Sequence, residues 1–202
     1  MTVKELLEQY GTDEVIPVAK ITPPNPLPEN QPFLVKADIT TLEIDCIVNA
    51  ANNSLLGGGG VDGAIHHGAG PCLLEECKRL HGCETGQAKI TNGYDLPATL
   101  VIHTVGPVYD ERRAEECEEQ LKNCYFNSLE LAMEHGVHSI AFPAISTGIF
   151  GYPALEAAVV AVNVVRDWFQ TYPDYGMQVI FCCYDQEMQD IYMRAIELTE
   201  PR

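Results

Sequence analysis

Four consecutive glycines (Gly57, Gly58, Gly59 and Gly60) follow a nearly continuous apolar run at residues 44–50 (IDCIVNA) and precede a helical pattern opening near Val61. Glycine loses more backbone entropy on folding than any other residue, so four in a row within a folded core need an offset. One reading is a flexible hairpin or linker. The other is a loop whose bare amides lie against a second molecule. The position between a buried strand and a helix start favours the second, because amides at a helix N-terminus bind anions. No Gly-Lys-Ser/Thr follows and the spacing is not G-x-G-x-x-G, so the loop is neither of the two familiar nucleotide-binding glycine motifs.

The texture around this loop repeats along the chain. Strands are expected at PFLVKADI (32–39), 44–50, TGQAKITNGY (85–94), ATLVIHTVG (98–106), HSIAFPA (138–144) and MQVIFCCY (177–184). Helices are expected from Val61, from Pro71 (PCLLEECKRL), over 113–135, over 153–170 and over 185–199. Proline at 71 and 153 suits a first helical position. In 113–135, Leu121, Cys124, Tyr125, Ser128, Leu129 and Ala132 recur at three and four residues, predicting one buried stripe. Glu115, Glu116, Glu118 and Glu119 suit the positive end of that helix. Strands alternating with helices imply crossover connections and a largely parallel sheet covered on both faces. Ligands of such sheets bind outside the carboxyl ends of the strands.

Before residue 32 the pattern differs. Residues 2–10 read as a short helix, with Thr2 as cap and Glu5 completing a capping box. Residues 17–32 then hold six of the 13 prolines, so this stretch reads as an extended arm or as a proline-rich ligand for a partner. The expected division is an N-terminal helix and arm over 1–31 and one globular domain over 32–200.

Charge narrows the partners. Twelve basic against 29 acidic residues give −17, a surface that disfavours non-specific nucleic-acid or anionic-membrane binding. It does not disfavour one phosphorylated small molecule held by backbone amides. The N-terminus lacks the apolar core of a secretory signal and the arginines of a transit peptide, and nothing reads as a membrane span. An intracellular, cytoplasmic or nuclear protein is expected, and a monomer. The eight cysteines contain no C-x-x-C pair and several sit in apolar runs, so they read as small reduced hydrophobes. Cys72, Cys77, His81 and Cys83 fit no standard zinc spacing, so no metal is expected.

Asn52 and Asp62 flank the glycine loop, ten residues apart. A carboxylate there orients or deprotonates water and an amide holds a sugar hydroxyl. Asp62 reads equally as a helix cap. The segment Ser146, Thr147, Gly148, Ile149, Phe150, Gly151 also joins a strand to a helix. It is either an ordinary turn or the second half of a pyrophosphate clamp, with Phe150 stacking on a ring. Asp38, after the first strand, is either a cap before Thr40 or an acceptor for an adenine amino group.

The runs NAANNSLLGGGGVDGAIHHGAGPCLLEEC, TGQAKITNGYDLPATLVIHTVGPVY and SIAFPAISTGIFGYP resemble the macrodomain family, specifically its MacroD-type ADP-ribosyl hydrolases, over about residues 33–195. The resemblance implies a three-layer α/β/α macrodomain fold with a mixed, largely parallel central sheet, and ADP-ribose in a cleft at the strand ends. It places Asp38 at the adenine amino group with Ile39 beside it, and Tyr184 near the adenine. It places Ala50, Ala51 and Asn52 along the cleft, Asn52 at the distal ribose. Gly57, Gly58, Gly59, Gly60 and Val61 become the first loop and Asp62 the catalytic carboxylate, with Asn52 as its catalytic partner. Ile145, Ser146, Thr147, Gly148, Ile149, Phe150 and Gly151 become the phosphate loop. The implied activity is hydrolysis of ADP-ribose esterified to protein Asp or Glu, and of O-acetyl-ADP-ribose, with no cofactor. A reader that binds mono-ADP-ribosylated proteins without cleaving them is the alternative. The family usually has glycine where this chain has Ala37. Alanine is costlier at positive φ, so a shifted adenine edge is expected.

Overall fold

The apolar run around residue 47 becomes β2 (Cys46–Ala51), buried on both faces except at half-buried Ala50. In the computed structural model, which describes residues 32–199, five further strands share its sheet: β1 (Phe33–Lys36), β3 (Ala88–Asn92), β4 (Leu100–Val105), β5 (Ser139–Phe142) and β6 (Gln178–Cys183). The helices are α1 (Gly60–Ala69), α2 (Pro71–Arg79), α3 (Ala114–Glu134), α4 (Ala154–Thr171) and α5 (Gln186–Leu198). The expected helix over 2–10, its Thr2–Glu5 box and the arm as far as residue 31 lie outside the described residues.

The strand order is β1-β6-β5-β2-β4-β3, with every neighbouring pair parallel except β3–β4. Alternation along each strand sorts the core into two clusters. Ile47 and Ala51 of β2 pack with Ile65 and Ala69 of α1 and Leu73 and Cys77 of α2. Cys46 and Val48 pack the other way, with the inner faces of α3, α4 and α5. The result is helix, sheet and helix in three layers, the expected mixed α/β/α arrangement.

Local causes set the helix limits. Gly70, at φ 75°, ends α1, and Pro71 then opens α2 as a first-turn proline. The expected stripe of α3 is buried residue for residue, with Cys117 added at its start. Complete burial of Leu121 and Leu129 stabilises the fold by about 1.5–3 kcal/mol each. Asp185 caps α5, its carboxylate accepting from the Met188 amide at 2.9 Å. Most strands are a few residues shorter at their ends than expected, and two boundaries differ for a visible reason. β1 stops at Lys36 rather than continuing to Ile39, because Asp38 caps a 3₁₀ turn over Ile39–Thr41. Pro153 stands just before α4 as its cap residue rather than inside it.

The eight cysteines are free thiols, seven of them buried. Cys77 faces His103 in the core while Cys72 is exposed, so the four residues weighed for zinc do not converge. No group of three or more His, Cys, Asp or Glu among the described residues is placed to hold a metal ion. Among those residues no helix is long and apolar enough to cross a membrane.

Candidate active site

Four neighbouring strands, β1, β6, β5 and β2, end at one cavity of about 780 Å³. Asp38 and Ile39 follow β1, Tyr184 follows β6, residues 145–150 follow β5, and Ala50, Ala51 and Asn52 end β2. Gly58, Gly59, Gly60, Val61 and Asp62 line it from the loop and the start of α1. Thus every residue expected at the ADP-ribose site lies on the cavity except Gly57 and Gly151. Gly57 lines a neighbouring groove of about 430 Å³, with His66, His67 and Leu74. Gly151, at φ 67°, closes the second loop by donating to the Gly148 carbonyl at 3.0 Å.

The first loop is tied to its neighbours by hydrogen bonds. Asn52 Nδ2 donates to the Gly57 carbonyl at 2.9 Å, and Asn52 Oδ1 accepts from the Ser54 amide and hydroxyl at 3.1 and 2.6 Å. Gly58 lies close against two polar side chains. A Cβ there would stand 3.1 Å from Asp62 Oδ2 and 3.3 Å from Asn52 Nδ2. The N-terminus of α1 follows, with no side-chain cap at Gly59. Its first amides are left for a ligand.

The second loop has the same character. The amides of Thr147, Gly151 and Tyr152 bond within it, whereas those of Ser146, Gly148, Ile149 and Phe150 have no acceptor among the described residues. Ser146 is held at φ 65°, and its buried Oγ is also without a partner there. Gly106, just beyond β4, makes room for it: a Cβ at Gly106 would lie 2.1 Å from Ser146 Oγ. Ile149 and Tyr184 are exposed at the rim, 94% and 85%. Both are apolar surfaces that a bound molecule would cover.

Asp62 is no cap. It occupies the first turn of α1, only 4% exposed, and its Oδ1 accepts from Asn49 Nδ2 at 2.8 Å. His66, one helical turn on, brings Nε2 to 3.5 Å from the same oxygen. Asn49 Nδ2 also lies 3.1 Å from His103 Nδ1, and His103 Nε2 is 2.9 Å from Thr91 Oγ1. Sequence reasoning missed Asn49, His66 and His103. The available signal was polarity: Asn49 and His103 interrupt two apolar strands at paired register positions.

Asp38 is a cap. Its Oδ1 accepts from the Thr40 amide at 2.9 Å and hydroxyl at 2.7 Å. Ala37 does not bring the expected strain. It is absent from the residues with positive φ, and its amide extends the β1–β6 ladder to the Cys183 carbonyl at 3.0 Å. Burial pushes the Cys182 thiol on the cavity wall up to about 12, so it stays neutral. Among the described residues, the charged side chains lining the cavity are Asp38, Asp62 and Asp185, with no lysine or arginine. What the lining offers an anion is backbone amides and the N-terminus of α1.

Comparison with known proteins identifies the family. The Macro domain family model matches residues 48–161. A macro domain-containing protein of Chlorobaculum tepidum is 58% identical over 163 residues, covering 80% of this chain and 93% of its own length. ADP-ribose glycohydrolase MACROD2 of Homo sapiens is 53% identical over 163 residues, 81% of this chain, but the match spans only 38% of that longer protein. The Trypanosoma brucei macrodomain, solved in complex with ADP-ribose, superposes with a TM-score of 0.76 at 41% identity, covering 81% of this chain and 68% of that one. The chain belongs to the macro domain family.

Proposed function

We propose that this protein is a mono-ADP-ribosyl hydrolase, acting on ADP-ribose esterified to protein Asp or Glu and on O-acetyl-ADP-ribose. One observation carries the proposal: a single cleft holds Asp38 at one edge, Asp62 at the other and two amide-rich loops between them. Three inter-strand steps of about 4.8 Å separate β1 from β2, so the two ends stand on the order of 14 Å apart. That leaves room for a diphosphate between a base and a second sugar. Asp38 accepts from the adenine amino group, and Tyr184 covers the base. Gly58, Gly59, Gly60 and Val61 meet the pyrophosphate and distal ribose on one side. Ser146, Gly148, Ile149 and Phe150 meet it on the other. Asn52 holds the loop and faces the distal ribose. Asp62 Oδ1 is engaged by Asn49, which leaves Oδ2, beside Gly58, to orient and activate a water for attack. The similarity to glycohydrolases supports the same activity. A monomer of the cytoplasm or nucleus, with a globular domain beginning at residue 32, completes the proposal.

The test is release of ADP-ribose from a substrate automodified on Asp and Glu. Wild type should release it, and Asp62→Ala should lose about a hundredfold or more in kcat while binding ADP-ribose within about threefold. Calorimetric binding with no release by wild type would identify a reader. Wild-type turnover by Asp62→Ala would remove Asp62 from the mechanism.

A further inference from the structure

Asp62 is held by an amide that is itself held from behind. Asn49 on β2 and His103 on β4 are register partners, and both are fully buried. The carboxamide of Asn49 fits one way round. Its Nδ2 is 2.8 Å from Asp62 Oδ1, and the flipped amide would set oxygen against oxygen at that distance. Asn49 Oδ1 has no partner among the described residues, so nothing fixes the amide from that side. The second hydrogen of Nδ2 therefore sets the angle, and it points at His103 Nδ1, 3.1 Å away. Such a bond requires a bare Nδ1 with the ring proton on Nε2. The surroundings match that tautomer. Nε2 is 2.9 Å from Thr91 Oγ1 and 3.8 Å from Cys77 Sγ, and the Thr91 hydroxyl can pass its own hydrogen to the Val101 carbonyl at 3.5 Å.

On the hydrolase reading above, we propose that His103 is a positioning residue for the hydrolytic step. As a neutral ring protonated at Nε2, it aims the Asn49 amide at Asp62 Oδ1 and so leaves Oδ2 turned toward the cleft. The groups around the ring are Asn49 on β2, Thr91 on β3, Cys77 on α2, and His66 on α1 with its ring centroid 6.3 Å away. Burial, with the nearby His66 adding to it, lowers the His103 pKa to about 3, so the bare Nδ1 persists at neutral pH. A ring protonated at Nδ1 would face Nδ2 donor to donor and turn the amide away.

The test combines a spectroscopic signature with a set of variants of the full chain. Long-range proton–nitrogen spectra of the imidazoles, with the His103 signals assigned by their loss in His103→Asn, should show neutral Nε2–H from about pH 7 down to about pH 5. An Nδ1–H tautomer, or protonation near the ordinary histidine pKa, would overturn the proposal. His103→Phe removes the acceptor and should lower kcat about tenfold or more, with ADP-ribose affinity within about threefold of wild type. His103→Asn, which can set an oxygen near the Nδ1 position, should recover most of that loss. Thr91→Val, which frees the tautomer while keeping the shape, should fall between them. Should His103→Phe not fold, Thr91→Val and His103→Asn carry the comparison. Unchanged kcat in every variant that folds, or equal loss with Phe and with Asn, would show that His103 only fills space. Failure of the hydrolase reading would appear instead in wild type, as binding without release.

Discussion

The two oxygens of Asp38 have different duties. Oδ1 accepts both the amide and the hydroxyl of Thr40, capping the 3₁₀ turn, so the capping reading open in the sequence is satisfied by one atom. On the proposed function, Oδ2 is the atom left for the adenine amino group. Asp38→Asn separates the two duties, because the cap keeps its oxygen on Thr40 and the new amide nitrogen takes the place of Oδ2. A donor then faces a donor across the adenine. Thermal stability should be close to wild type, KM for an ADP-ribosylated substrate should rise about tenfold, and kcat should hold. A fall in kcat with unchanged KM would place Asp38 in the chemistry instead. Asp62 differs in that one of its oxygens is fixed by a buried amide while the other faces Gly58. On the proposed function, the same residue type thus serves recognition at one end of the cleft and reactivity at the other.

At the scale of elements, the cleft depends on how closely the loops pack against the strand ends. Gly106 shows this best. Gly106→Ala would put a methyl group 2.1 Å from Ser146 Oγ and 2.7 Å from Ile145 Cγ2. The loop after β5 must then move outward. Overpacking of this kind costs about 1–3 kcal/mol, and the displaced amides should weaken ADP-ribose binding about tenfold or more. Calorimetry beside a thermal melt checks both effects, and wild-type affinity would mean that the loop adapts without loss. The elements themselves were legible because their signals are local. α2 starts at its first-turn proline, α5 at Asp185, and the α3 stripe shows its period in the residues. What local signals could not give was the shared use of Asp38, whose cap ends β1 early, or the convergence of Asn49, His66, His103 and Asp62. Those four come from β2, β4 and α1. Only sheet register and helix placement bring them together. The motif resemblance supplied Asn52 and Asp62, and the packing supplied what holds them.

For the whole molecule, two properties follow from where charge is kept. His103 is buried neutral, with its pKa lowered to about 3. In the unfolded chain the ring takes up a proton as pH falls through about 6.5, so below that value the unfolded state gains protons that the native state refuses. Stability should therefore decline with falling pH between those values, by up to about 1.4 kcal/mol per unit from this residue. Urea melts of wild type and His103→Asn at about pH 7 and about pH 4.5 should show a shallower decline in the variant. Parallel declines would mean that the native ring titrates normally.

The second property is the response of binding to salt. The chain carries a net charge of −17, and among the described residues the cavity is lined by three carboxylates and no lysine or arginine. A diphosphate ligand then approaches against a repulsive field and is held at short range by amides, whose partial charges are screened little once water is excluded. Raising ionic strength from about 20 mM to about 200 mM shortens the Debye length from roughly 20 Å to below 10 Å and weakens the repulsion first. Affinity for ADP-ribose should stay level or rise over that range, opposite to a site built on lysine or arginine. A fall of about tenfold would place a cation at the phosphates.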